Sequence, residues 1–124
     1  MADRIESKTS ILVVDDDPDI LFATSRILKK KGYKVFESSS GKDCIEKAKD
    51  LSPDLILLDV VLPDISGKDV CRQLKKEKDT APISVILLSS VKTQSLDQSR
   101  GLERGADDYI TRPIENRELA ARIE

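Results

Sequence analysis

Leu55-Ile56-Leu57-Leu58-Asp59 is a four-residue apolar run that ends on a single acid. Ile11-Leu12-Val13-Val14 followed by Asp15-Asp16-Asp17 repeats the arrangement near the start of the chain. Both runs have strand length and no polar alternation, which is how strands covered on both faces read. If they are parallel neighbours, their carboxyl ends deliver several carboxylates to one edge of the sheet. Crowded carboxylates repel one another by about 4 kcal/mol per close pair at an effective dielectric near 20. A divalent cation removes that repulsion, and Mg²⁺ suits an all-oxygen, partly hydrated site. An acidic metal site built around one exposed Asp is a starting point for phosphoryl chemistry on that Asp.

Outward from these two runs, strand and helix signals alternate. Asp17-Pro18 reads as N-cap and first helical position of a helix through about Lys31, with Ile20, Leu21, Ala23, Ile27 and Leu28 at helical spacing. Lys29-Lys30-Lys31 lies at the negative end of that helix dipole, and Gly32 closes it. Val35-Phe36 is the centre of a second strand, and Ser40 caps a second helix to about Leu51. Ser52-Pro53-Asp54 is a turn into the strand at 55–58. Ser66 with Asp69 opens a third helix, Val70 to about Lys76. Ile83 to Leu88 is the fourth strand, 93–104 a weaker helix ended by Gly105, and Asp108-Tyr109-Ile110-Thr111 a short fifth strand. A last helix begins near Glu115 and is still running at Glu124. Five strands alternating with five helices predict an α/β fold, a doubly wound parallel sheet joined by right-handed crossovers. Its ligand site belongs at the carboxyl ends of the strands.

The chain has 124 residues, enough for one domain with its own core. Residues 1–9 are expected to be a flexible leader and 10–124 the domain. The apolar face of the last helix (Leu119, Ala120, Ile123) reaches the end of the sequence. The expectation is therefore a truncated helix, in a piece excised from a longer protein. Twenty-one cations against 23 acids leave a net charge of −2, which predicts neither direct nucleic-acid binding nor membrane attachment. With no apolar stretch of spanning length and no signal-peptide pattern, the expected location is cytoplasmic. Cys44 and Cys71 lack metal-ligand spacing and read as structural thiols. The chain has no His, which excludes the common triads and any phosphohistidine of its own. A phosphoryl group would come from another molecule.

Three motifs together carry a family resemblance. They are Leu12-Val13-Val14-Asp15-Asp16-Asp17, the segment from Asp59-Val60-Val61-Leu62-Pro63-Asp64 to Ile65-Ser66-Gly67, and Gly105-Ala106-Asp107-Asp108-Tyr109-Ile110-Thr111-Arg112-Pro113. With Ser89-Ser90 after the fourth strand, the sequence resembles the receiver domains of two-component response regulators, from Ile11 onward. It looks most like those of winged-helix transcription factors. The resemblance implies a flavodoxin-like sheet of order 2-1-3-4-5. It implies a phosphorelay module rather than an enzyme with a small-molecule substrate. Asp59 would accept a phosphoryl group from a sensor histidine kinase or a phosphotransfer protein. Asp16, Asp59 and the backbone carbonyl of Val61 would bind Mg²⁺, and Asp15 would act through a water. Ser89 would be the hydroxyl that follows the phosphoryl group, and Tyr109 the aromatic that moves with it. The phosphoryl group would switch an output domain or partner.

Two departures bear on that mechanism. Position 112 is Arg where the family has Lys before Pro113. Arg is longer, planar and given to bidentate pairing. Arg112 would then either neutralise the phosphoryl group or clamp Asp59, and the clamp would make the chain a pseudo-receiver that serves only for docking. Val61 and Val91 lie two residues past Asp59 and Ser89, and neither can orient an attacking water. A long-lived phosphoryl-aspartate is expected. In the dimers of the winged-helix subfamily, Asp108 and Arg122 would pair. Glu118 would meet the uncharged Gln98, and Glu103 would meet Glu124 of like sign, which predicts a weak or atypical homodimer. An aspartyl-phosphate phosphatase of the haloacid dehalogenase type would need an acid where Val61 stands. A flavodoxin would need a phosphate-holding loop where Asp15-Asp16-Asp17 stands.

Overall fold

A computed structural model of the chain describes residues 9–89 and the backbone of 108–111. The strands are β1 (Ser10–Val14), β2 (Lys34–Ser38), β3 (Leu55–Asp59), β4 (Ser84–Ser89) and β5 (Asp108–Thr111). The helices among the described residues are α1 (Pro18–Lys30), α2 (Gly41–Leu51) and α3 (Gly67–Lys76). All strand pairs are parallel, and the order is β2-β1-β3-β4-β5. The apolar runs at 11–14 and 55–58 are adjacent, with Val14 opposite Leu58. The sheet topology thus follows the sequence reading, and the helices expected at 93–104 and from Glu115 lie outside the described residues.

Alternation along the strands divides the core between the two faces of the sheet. Leu12, Val14, Ile56, Leu58, Val85 and Leu87 face α2 and α3, where they pack with Cys44, Ala48, Val70, Cys71 and Leu74. Ile11, Val13, Leu55, Leu57, Ile86 and Leu88 face the other way and pack with Leu28 of α1. Central strands buried on both sides have no solvated face, which accounts for their lack of polar alternation. Cys44 and Cys71 are buried thiols in no disulfide, and burial pushes the Cys44 thiol up to about 12.

Helix ends fall where the capping residues put them. Asp17 accepts from the backbone N–H of Asp19 and Ile20, so its role is the cap of α1. Gly32 then takes φ +99°, a conformation that suits glycine. Several boundaries differ from the sequence expectation, among them β1, which starts at Ser10, and β3, which takes in Asp59. β2 extends over five residues because it runs the full length of β1. α3 starts at Gly67, directly after its cap Ser66. β4 starts at Ser84 because the Ile83 N–H closes a turn onto the Thr80 carbonyl, and it runs on to Ser89, opposite Thr111.

Candidate functional site

β1 and β3 end side by side, and their acids meet there. One carboxylate oxygen from each of Asp15, Asp16 and Asp59 lies within 4.8 Å of the others. Asp15 and Asp59 are buried and Asp16 is exposed, so the cluster has an inner wall and an open side. The alternation of side chains along an extended backbone separates Asp15 from Asp16.

The backbone around the cluster is tightly specified. The Asp15 N–H donates to the Ser38 carbonyl at 3.1 Å, which ties the end of β1 to the end of β2. The Asp15 carboxylate accepts the Asp17 N–H at 3.0 Å. The Asp59 carboxylate accepts the Val61 N–H at 3.2 Å. The Val60 N–H donates to the Leu88 carbonyl at 2.8 Å, and the Gly67 N–H donates to the Val60 carbonyl at 2.7 Å. A Cβ at Gly67 would collide with the backbone carbonyl of Asp59. Only glycine lets the start of α3 approach the acidic strand end so closely.

An all-oxygen set of three carboxylates, two walled in and one facing water, fits a hard cation that keeps part of its hydration, and Mg²⁺ is such a cation. Its charge offsets the mutual repulsion that these carboxylates otherwise carry. Ser89 ends β4 one residue beyond the Leu88 that pairs with Asp59, and it is buried at the same edge of the sheet. Val61 is 58% exposed, so its branched side chain stands in solvent rather than packing against its own loop. Tyr109 lies on β5 opposite Leu87, and Asp108 lies opposite Ile86. Arg112, Arg122 and Val91 lie outside the described residues, as do Gln98, Glu103, Glu118 and Glu124.

Two residues at the site had no role in the sequence reading. Gly67 is one. The other is Asp64, whose carboxylate accepts the N–H groups of Gly41 and Lys42, both at 2.8 Å. The Lys42 and Gly41 amides hold the Asp64 carboxyl below the usual aspartate range. An Asp directly after Pro63 resembles a turn residue, and nothing in its local sequence points across to a helix start 23 residues earlier.

Residues 11–124 match the family model of the response regulator receiver domain. The chain belongs to the response regulator receiver family. It is 43% identical over 114 residues to the alkaline phosphatase synthesis transcriptional regulatory protein PhoP of Bacillus subtilis. That alignment covers 92% of this chain and 46% of the relative, so the chain spans less than half the length of that protein. A transcriptional regulator is the kind of relative that the expected likeness to transcription-factor receivers calls for. Among solved structures, the CheY-like receiver domain protein of Methanospirillum hungatei is similar at a TM-score of 0.86 and 30% identity, over 94% of this chain and 91% of that one. The BeF3-activated receiver domain of DrrB is similar at a TM-score of 0.82 and 34% identity, over 94% of each chain. This protein is therefore a receiver domain of two-component signalling with a flavodoxin-like fold. Receivers accept a phosphoryl group and pass on a signal, rather than turning over a substrate in the usual sense.

Proposed function

We propose that Asp59 is the phosphoacceptor of this receiver, with Asp15, Asp16 and the Val61 carbonyl completing a Mg²⁺ site around it. The convergence of three carboxylates within 4.8 Å at the carboxyl edge of β1 and β3 carries this reading. A carboxylate oxygen of Asp59 forms a bond to phosphorus while the bond from phosphorus to a histidine nitrogen of the donor breaks, and that nitrogen keeps the electron pair. Mg²⁺, when bound, supplies positive charge that offsets the negative charge of the acids and the incoming phosphoryl group. The Val61 N–H, already on the Asp59 carboxylate, fixes the direction of the attacking oxygen. Asp16, on the exposed side, would hold the cation directly, and Asp15 would act through a water. Ser89 answers the phosphoryl group with its hydroxyl, Tyr109 moves with it, and Arg112 supplies the cationic partner. The exposed, apolar Val61 supports a long-lived phosphoryl-aspartate, because it offers no group that orients an attacking water.

The donor is a sensor histidine kinase or a phosphotransfer protein, in line with the PhoP-like relative, and the receiver switches an output domain in a cytoplasmic regulator. No described helix is long and apolar enough to cross a membrane. Self-association through Asp108 and Arg122 would be weak or differently arranged. A docking-only module would have no need of three converging acids, so the pseudo-receiver reading is not retained.

Intact-mass spectrometry after incubation with a small phosphodonor tests the proposal. The expected result is a Mg²⁺-dependent gain of one phosphoryl group, absent in Asp59→Asn. No gain under any condition, or an equal gain in Asp59→Asn, would sink it.

A further inference from the structure

The acids of the site come from two strands, and hydrogen bonds through the start of α2 join the ends of those strands. From β1, the Asp15 N–H reaches the Ser38 carbonyl at 3.1 Å. The Ser38 hydroxyl donates to the Ser40 carbonyl at 3.1 Å, just before α2. The first two N–H groups of α2, from Gly41 and Lys42, then donate to the two oxygens of Asp64. Asp64 belongs to the loop that leaves β3 at Asp59, and β3 lies against β1. The circuit closes around the acidic cluster.

Among the described residues, the Asp64 side chain joins the β3–α3 loop to α2 by hydrogen bonds. The loop's ends are held by backbone bonds, Val60 to Leu88 and Gly67 to Val60. Between them, Leu62 is buried in the core, and Ile65 packs at the start of α2. A Cβ at Gly41 would lie 2.5 Å from Ile65 Cγ1 and 2.8 Å from Val70 Cγ2. The loop and the helix start therefore meet without space between them, and the Asp64 carboxylate locks the joint. The helix itself has a second cap, because the Asp43 N–H donates to Ser40 Oγ at 3.1 Å. The two caps divide the work. Ser40 is local to α2, while Asp64 also fixes a loop that begins at the proposed phosphoacceptor.

We propose that Asp64 is a positioning residue for the acidic site, holding the β3–α3 loop on the first turn of α2 and with it Val61, whose N–H is on the Asp59 carboxylate and whose carbonyl is the ligand proposed above. The inference rests on the metal site argued above. Outer-shell groups that orient metal ligands change affinity on the order of tenfold when removed.

The test is Mg²⁺ titration of the chain, followed by calorimetry and by the amide resonances of Gly41, Lys42 and Val61, in four proteins. These are the unsubstituted chain, Asp64→Ala, Asp64→Asn and Ser40→Ala. Asp64→Ala is expected to weaken Mg²⁺ binding on the order of tenfold. Asp64→Asn retains one acceptor oxygen and is expected to fall between it and the unsubstituted chain. Ser40→Ala removes the local cap, lowers thermal stability and leaves Mg²⁺ affinity unchanged. Equal affinity in Asp64→Ala and the unsubstituted chain would overturn the inference, as would a loss in Ser40→Ala as large as that in Asp64→Ala. If Asp64→Ala does not fold, Asp64→Asn against Ser40→Ala decides on the same criterion. Failure of the unsubstituted chain to bind Mg²⁺ would overturn the metal-site reading and this inference together. That outcome is distinct, because the parent protein fails as well.

Discussion

The two edges of the sheet use aspartate in opposite ways. At the amino edge, Asp54 precedes β3 and is fully engaged by Ser10. Its carboxylate accepts the Ser10 N–H at 2.8 Å and the Ser10 hydroxyl at 3.3 Å, and its own N–H donates to the Ser10 carbonyl at 3.0 Å. Its carbonyl accepts the Ser84 N–H at 3.3 Å, so one residue fastens the starts of β1, β3 and β4. At the carboxyl edge, Asp59 ends the same strand, accepts the Val61 N–H and converges with two other acids. The amino edge places donors opposite its carboxylate and gains stability. The carboxyl edge gathers like charges, a cost that only a bound cation or a phosphoryl partner makes worthwhile.

Substitutions at the two edges should therefore have different signatures. The largest effect is expected at Gly67, where an added methyl group meets the Asp59 carbonyl. Gly67→Ala should cost about 3 kcal/mol in chemical denaturation and impair Mg²⁺ binding as well. Gly32→Ala is the control, since nothing lies within 4 Å of its added Cβ. Only its positive φ is strained, at a cost of about 1 kcal/mol with Mg²⁺ binding intact. A neutral Gly67→Ala would break the idea that the start of α3 and the acidic strand end are fitted to each other.

Asp54→Ala should cost about 1 to 2 kcal/mol, because it strips a carboxylate from the Ser10 donors. Its Mg²⁺ affinity should match that of the parent chain. Asp59→Asn should do the reverse. It removes one of three converging carboxylates and leaves the amino edge intact, so Mg²⁺ should no longer stabilise it in a urea melt. Undiminished stabilisation of Asp59→Asn by Mg²⁺ would show that the cation does not sit among the converging acids.

The pH dependences are smaller and have opposite signs. The folded-state pKa of Asp64 is depressed, first by the Lys42 amide and then by the Gly41 amide. Its contribution is present above the ordinary aspartate value of 3.8 and is lost as pH falls through the folded value below it. The stability difference between the parent chain and Asp64→Asn should close in that acid range. Cys44 behaves oppositely, because burial raises its thiol from 9.0 to about 12. Its contribution is present below pH 9.0 and is lost between there and about 12, as the unfolded thiol ionises and the folded one does not. At pH 8 an alkylating reagent should leave Cys44 unmodified in the native protein and modify it in denaturant. Modification at the native rate of an exposed thiol would contradict the packed face between the sheet and α2.

Much of this was legible in the residues. The uninterrupted apolar runs at 11–14 and 55–58 announce buried parallel strands, since polar alternation would require a solvated face. The acids at their ends fall together because parallel neighbours end at the same edge. Asp17, Ser40 and Ser66 cap the helices that the sequence gives them, because capping is settled within three residues. The Tyr109 side chain and Arg112 were also read from sequence, and they lie outside the described side chains.

The sequence alone determined the alternation of strands and helices, the acids at the strand ends and the kind of cation they suit, because strand periods and charge counts are local quantities. Tertiary structure decided which acid is buried, that Asp64 caps a helix 23 residues away, and that α3 starts against the Asp59 carbonyl. Each of these depends on the distance between segments far apart in the chain. Distance of that kind is set by how the helices pack on the sheet, and no local pattern of residues encodes it.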